Sequence, residues 1–170
     1  CIYTAKCGTC FIDADMSSEM VLAKLLSREG GILSKNWCYS SELRVLNNQL
    51  VFAPLFALFD NWQLVRTLGT AIVLAIMTMC YIFMARSIRL SWAGTFASGG
   101  VLLLPLSGSY TYSVLTGLFY VPHISLSFLL FGLYCRYIGA GRKKLILAVL
   151  AALLAFAAGA AAMGGAMLCR

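Results

Sequence analysis

The sequence predicts an all-α integral membrane protein, in which a bundle of about four transmembrane helices follows an extracytoplasmic loop with two amphipathic interfacial helices. Its composition is 61% hydrophobic and 11% charged, against roughly 45–50% and about 25% in soluble globular proteins. All six acidic residues lie at or before Asp60. Beyond that point, long apolar stretches alternate with short basic segments. A membrane bundle behind a polar segment accounts for these three observations.

The net charge of +7 is confined to the apolar part of the chain, because acidic and basic residues balance up to Arg66. The excess comes from Arg86, Arg89, Arg136, Arg142, Lys143, Lys144 and Arg170. Basic residues in short segments between spans mark the cytoplasmic side. We therefore expect a multi-pass protein of the cell membrane with residues 1–66 and Gly108–Ser113 outside, and no nucleic-acid partner.

The first interfacial helix is predicted to begin at Asp15 or Ser17, either of which can cap it, and to run to about Glu29. Gly30-Gly31 then ends it. At about 14 residues it is too short to cross a bilayer, which takes about 20. Glu19 departs from the division of this helix into an apolar and a polar side. The apolar side consists of Val21, Leu22, Leu25 and Leu26.

A second helix is predicted to start at Ser40 or Ser41 and to be bent or ended by Pro54, since proline lacks a backbone donor. Leu50–Phe59 is apolar but short, and it is interpreted as an interfacial segment or a bent lead-in to the first span.

Four spans are then predicted, over residues 67–85, 90–106, 114–135 and 145–168. The last is rich in Ala and Gly at small-x-x-x-small spacing, which lets helices approach closely. We therefore expect it to pack against a remaining part of the chain or another membrane subunit. Because the sequence begins at Cys1 rather than Met, we also expect it to be a fragment of a longer protein.

The candidate chemistry is concentrated in the polar segment. Asp13 and Asp15 flank one alanine, so the two carboxylates can shift each other's pKa, and one can serve as a general base or a metal ligand. Alternatively, Asp15 is a helix cap and the charges form a solvated surface. The candidate phosphate-binding residues are Lys35, Arg44 and Arg66, with His123 nearby in the membrane. A histidine bonded to a neighbouring helix is the competing interpretation of His123.

Three segments, Phe11–Met20, Trp37–Asn47 and Asn61–Gly69, followed by spans, resemble the N-terminal part of bacterial proteins similar to the GT-C glycosyltransferases. The resemblance implies a catalytic aspartate in the first outer loop, at Asp13 or Asp15, and a sugar donor linked to polyprenyl phosphate. We expect no cofactor, and the sequence leaves a divalent metal open. Arg44, Arg66 and His123 are donor-binding candidates from their chemistry.

Other functions fit the same sequence. One is a transporter or lipid-handling protein, although the spans contain few polar residues. Another is a non-catalytic assembly subunit. Cys7-Gly-Thr-Cys10 also matches a redox or metal pattern, but a single pair of this kind is a weak signal, and two incidental thiols beside a membrane surface are the favoured interpretation.

Overall fold

The computed structural model describes residues 13–38 and 47–139. All regular structure in these two ranges is helical, which confirms the all-α prediction for this part of the chain. The predicted span over 145–168 and the Cys7–Cys10 pair lie outside the described residues.

Helix α1, Ala14–Glu29, begins earlier than predicted. The cap is Asp13, whose backbone is extended and whose carboxylate accepts from the Met16 N–H at 2.8 Å. The predicted cap, Asp15 or Ser17, was therefore wrong, because an aspartate just upstream offers the same oxygen to the first turn. The predicted end is confirmed: Gly30 takes a left-handed conformation, with φ +70°, and closes the helix through the Leu26 carbonyl.

Helix α2, Gln49–Leu58, contains Pro54 and continues past it, so the prediction that proline could end this helix was wrong. Residues 39–46, where the helix was predicted to start, are outside the described ranges. The buried side chains of Phe52 and Phe56 pack α2 into the core with Met20 and Ala23 of α1. The two helices thus form one apolar unit.

Helix α3, Trp62–Ser87, is 26 residues long and, by length and composition, apolar enough to cross a membrane. At about 1.5 Å per residue it is about 39 Å long, against about 30 Å of hydrocarbon. Asn61 caps it by accepting from the N–H groups of Gln63 and Leu64. It starts five residues before the predicted span, which places Arg66 inside the helix.

The span predicted over 90–106 is observed as a shorter helix, α4, Trp92–Leu102. Its 11 residues cover about 16.5 Å, which is too short to cross a bilayer alone. Residues 103–107 are not helical, and Pro105 lies among them and cannot supply a helical donor. Ser98 and Gly99 of α4 contact Tyr81 of α3, while Trp92 stacks on Arg86, so α4 runs antiparallel to α3.

The span predicted over 114–135 is broken. A short helix, α5, Gly108–Tyr110, leads into a π-helix, Thr111–Thr116, and helix α6, Val121–Gly139, follows a non-helical turn. The two parts meet at 79°. The outer loop predicted at Gly108–Ser113 is therefore helical, and the turn lies at residues 117–120. Gly117 leaves no room for a Cβ between Phe119 and the Tyr112 carbonyl, and Leu118 has φ +62°, so the chain bends sharply there.

Helices α3 and α6 pack side by side and run in the same direction. Arg66 near the start of α3 lies against the turn that precedes α6, while Phe83 near its end contacts Gly132 and Arg136 of α6. The bundle therefore has a Trp62 end, where α1 and α2 pack, and a Ser87 end, where Arg86, Arg89 and Arg136 lie.

Substitution of Gly69 by alanine should destabilise the fold by roughly 1–3 kcal/mol. A Cβ at this position of α3 would overlap the ring of Phe52, which is fully buried and cannot move aside. Thermal unfolding of the full chain in detergent, followed by circular dichroism, measures the effect. The control is Gly100→Ala in α4, where a Cβ meets open space and alanine favours the helix. Equal melting temperatures for the two variants would contradict the proposed packing.

Candidate functional site

A buried ion pair lies at the Trp62 end of the bundle. The Glu19 carboxylate of α1 is 3.6 Å from the Arg66 guanidinium of α3, and their side chains are 11% and 4% exposed. Two charges removed from water stabilise a fold only when other groups complete their bonding, because desolvation offsets the Coulombic attraction. The surroundings of both residues supply such groups.

Arg66 also holds the turn between the π-helix and α6. Its Nη2 donates to the Thr116 carbonyl at 2.6 Å and to the Gly117 carbonyl at 3.3 Å. Carbonyls at a helix end lack partners within the helix, and a cation there also favours the helix dipole. The guanidinium lies over the Phe52 ring, 5.3 Å from its centroid. Arg66 is therefore engaged by the protein on several sides.

Asn48, which is buried and precedes α2, completes the cluster. Its Nδ2 donates to the Glu19 carboxylate at 2.9 Å and to the Leu118 carbonyl at 3.1 Å. Because both partners accept hydrogen bonds, only the amide nitrogen can face them, and this fixes the orientation of the side chain. The amide oxygen of Asn48 is directed elsewhere. We call Glu19, Asn48, Arg66 and the carbonyls of residues 116–118 the buried cluster.

A cavity of ≈ 330 Å³ adjoins the cluster and lies between α2, α3 and α6. Asn47 and Asn48 line it, and the amide oxygen of each is buried with no hydrogen-bond partner among the described residues. The rest of the wall is largely apolar, with a thiol and an imidazole. It consists of Leu50, Val51, Val73, Ile76, Cys80, Pro122, His123, Ser125, Leu126 and Leu129.

The predicted site residues are dispersed. Asp13 is half-buried and occupied in part by capping α1, while Asp15 is exposed in its first turn. Lys35 is exposed in the loop after α1. Arg66 belongs to the buried cluster, and His123 is exposed in the first turn of α6, on the cavity wall. Arg44 lies outside the described residues.

The loop that carries Lys35 is tied to the end of α1. The Asn36 side chain donates to the Glu29 carboxylate at 2.9 Å. Hydrogen bonds from Ser34 and Asn36 lower the pKa of Glu29, because they stabilise its charged form.

The structure therefore brings Arg66 to Glu19 rather than into contact with Asp13 or Asp15, although the charge of Asp13 also acts on Arg66. One feature of the sequence indicated this pairing. Glu19 does not fit the division of its helix into a polar and an apolar side. The sequence held no signal for Asn48, because an asparagine before an apolar run is an ordinary turn residue.

Within residues 13–38 and 47–139, no group of three or more histidine, cysteine or acidic side chains could hold a metal ion. The thiols of Cys38, Cys80 and Cys135 are free in this part of the chain.

The chain matches no family model, and searches of curated proteins and of solved structures found no significant match. Resemblance to known proteins therefore adds nothing to the geometry of the site.

Substitution of Arg66 by methionine should lower the free energy of unfolding by about 3–5 kcal/mol, because it leaves the Glu19 carboxylate buried without its cation. Chemical or thermal unfolding of the full chain in detergent measures the loss. The control is Asp60→Asn, which removes the 3.4 Å contact with Lys24 at a carboxylate that is 98% exposed. An exposed pair of this kind contributes little. If Arg66→Met behaved like Asp60→Asn, the buried cluster would have no structural role.

Proposed function

We propose that this chain is the membrane-embedded part of a glycosyltransferase-like protein, which transfers a sugar from a polyprenyl-phosphate donor to an extracytoplasmic acceptor. One observation carries the proposal. The buried pair of Glu19 and Arg66 fixes α1 to the start of the long apolar helix α3. Asp15 lies one turn before Glu19 on α1 and is exposed. In the proposed membrane location, this carboxylate faces the headgroup region of the lipid donor.

The membrane location is supported by the apolar outer surface of the bundle. Large apolar side chains are exposed along successive turns of α3, including Leu64, Leu68, Ile72, Ile76 and Met79. Trp92 and Phe96 of α4 and Phe131 of α6 extend this surface. Soluble monomers rarely expose contiguous apolar patches of more than a few hundred Å². A lipid environment is the natural solvent for such a surface.

The orientation is supported by charge. Arg86 and Arg89 follow α3, and Arg136 of α6 lies beside Phe83 near the end of α3, so the three exposed arginines share the Ser87 end. The described acidic residues all precede α3. By the positive-inside rule, the Ser87 end faces the cytoplasm and α1 and α2 lie outside.

A membrane-impermeant maleimide should label Cys38 on intact cells that express the full-length protein, since this thiol is exposed in the loop after α1. A cysteine introduced by Ile88→Cys, in a variant without other thiols, should react only after permeabilisation. Ile88 is exposed next to the basic residues at the opposite end. Labelling of Ile88→Cys on intact cells with protection of Cys38 would reverse the proposed orientation.

In the proposed reaction Asp15 is the general base. It takes the proton of an acceptor hydroxyl while the hydroxyl oxygen forms a bond to the anomeric carbon. The bond from that carbon to the lipid phosphate breaks on the opposite face, so the anomeric centre inverts. Lys35 and Arg44 are the cations proposed to neutralise the departing phosphate. Arg66 serves as a positioning residue, because its guanidinium is ion-paired with Glu19 and its Nη2 donates to the turn carbonyls.

Asp15→Asn should lower the rate of sugar transfer by about 10²–10⁴-fold, the usual contribution of a positioned base. The assay measures transfer from radiolabelled polyprenyl-phosphate sugars by membranes that contain the full-length protein. Asp13→Asn is the matched control, since asparagine caps a helix as well as aspartate and α1 should stay intact. Full transfer by Asp15→Asn, in protein that is inserted normally, would eliminate Asp15 as the base.

A further inference from the structure

We propose that the cavity between α2, α3 and α6 binds a lipid alcohol, that is, an apolar chain that carries a hydroxyl group. The apolar wall receives the chain, and the amide oxygens of Asn47 and Asn48 share the single hydrogen bond that the hydroxyl donates. This binding does not depend on the sugar transfer proposed above.

The wall and the opening of the cavity are the evidence for an apolar chain on the ligand. Val73 of α3 and Leu126 and Leu129 of α6 form an apolar lining. A volume of ≈ 330 Å³ lies at the lower end of the range of about 300–1,000 Å³ found for small-molecule sites. Leu50 and Ile76, which also line the cavity, are 38% and 43% exposed. The opening therefore joins the apolar outer surface, from which a hydrocarbon chain would enter.

The polar atoms of the cavity wall are the reason to propose a hydroxyl group on the ligand. The Asn48 Nδ2 donates both of its hydrogens, one to the Glu19 carboxylate and one to the Leu118 carbonyl. The buried amide oxygen of Asn48 is therefore the atom left to interact with a ligand. Asn47 adds a second buried acceptor on the same wall. A buried acceptor needs a donor, and a hydroxyl provides one. His123 is on the same wall, and a ring N–H can donate to the oxygen of the same hydroxyl.

The same atoms disfavour a lipid phosphate in this cavity. The oxygens of a phosphate accept hydrogen bonds, as the amide oxygens of Asn47 and Asn48 do, so they cannot bond to each other. No lysine or arginine is among the described residues of the wall. The nearby Arg66 guanidinium is held by Glu19 and by the carbonyls of residues 116 and 117. The cavity therefore selects a neutral head that donates a hydrogen bond.

Two native thiols provide the test. Cys80 lines the cavity, whereas Cys135 of α6 does not, and both are half-exposed. In the full chain, the remaining cysteines are replaced by serine, and the rates of alkylation by N-ethylmaleimide at the two thiols are compared in detergent. The replaced residues are Cys1, Cys7, Cys10, Cys38 and Cys169.

Saturating 1-dodecanol should slow alkylation of Cys80 and leave Cys135 unchanged. Dodecyl methyl ether, which has the same chain without the donor, and dodecyl phosphate should protect Cys80 much less. Asn47→Leu should raise the half-protecting concentration of dodecanol roughly fivefold, as expected for one lost neutral hydrogen bond. An unchanged rate at Cys135 shows that each variant is folded.

A second pair of variants tests the location. Ile76→Trp, at the opening, should abolish the alcohol-dependent protection, whereas Ile72→Trp, one turn away on α3 and 40% exposed, should retain it. Equal protection by the alcohol and the ether would overturn the proposal, because the cavity would then recognise only the chain. Better protection by the phosphate, or none by any ligand, would overturn it as well. Since no sugar transfer is measured, these results and the Asp15 assay can fail independently.

Discussion

The structure depends on the burial of one charge, the guanidinium of Arg66, in the first turns of the long and largely apolar helix α3. A buried cation must be matched by a counter-charge and by acceptors for its remaining donors. Here the counter-charge comes from Glu19 of α1, and the acceptors are the carbonyls of Thr116 and Gly117. One side chain thus connects the polar segment, the long helix α3 and the break before α6.

The helix break at residues 117–120 and the buried cluster stabilise each other. Gly117 and Leu118 interrupt the helical hydrogen bonding, and Leu118 holds a left-handed conformation that is unfavourable for a bulky residue. The interruption leaves the Thr116 and Gly117 carbonyls without helical partners, and Arg66 donates to both. Asn48 adds a side-chain donor to the Leu118 carbonyl. Full burial of Leu118 then holds the turn in place. The same turn places His123 on the wall of the cavity, so the local strain and the candidate binding site have one origin.

The helical class and the position of α3 were predictable because they depend on composition and on a long apolar run. The end of α1 was also predictable, since Gly30 can take the left-handed cap that closes it. The break at residues 117–120 was not, because the segment around it is as apolar as a continuous span and the interruption comes from packing around Gly117. The pairing of Glu19 with Arg66 was missed for a similar reason. It joins residues far apart in the sequence, and neither residue type is tied to a partner by local spacing.

The most direct test of this account is a double-mutant cycle between Glu19 and Arg66, with unfolding free energies measured in detergent for Glu19→Gln, Arg66→Met and the double variant. If the buried pair joins α1 to α3, the double variant should be less destabilised than the sum of the single variants by more than about 1 kcal/mol, since contacting residues couple. Additivity to within about 0.5 kcal/mol would mean that the two charges act independently. The buried cluster would then not be the link between the polar segment and the long helix.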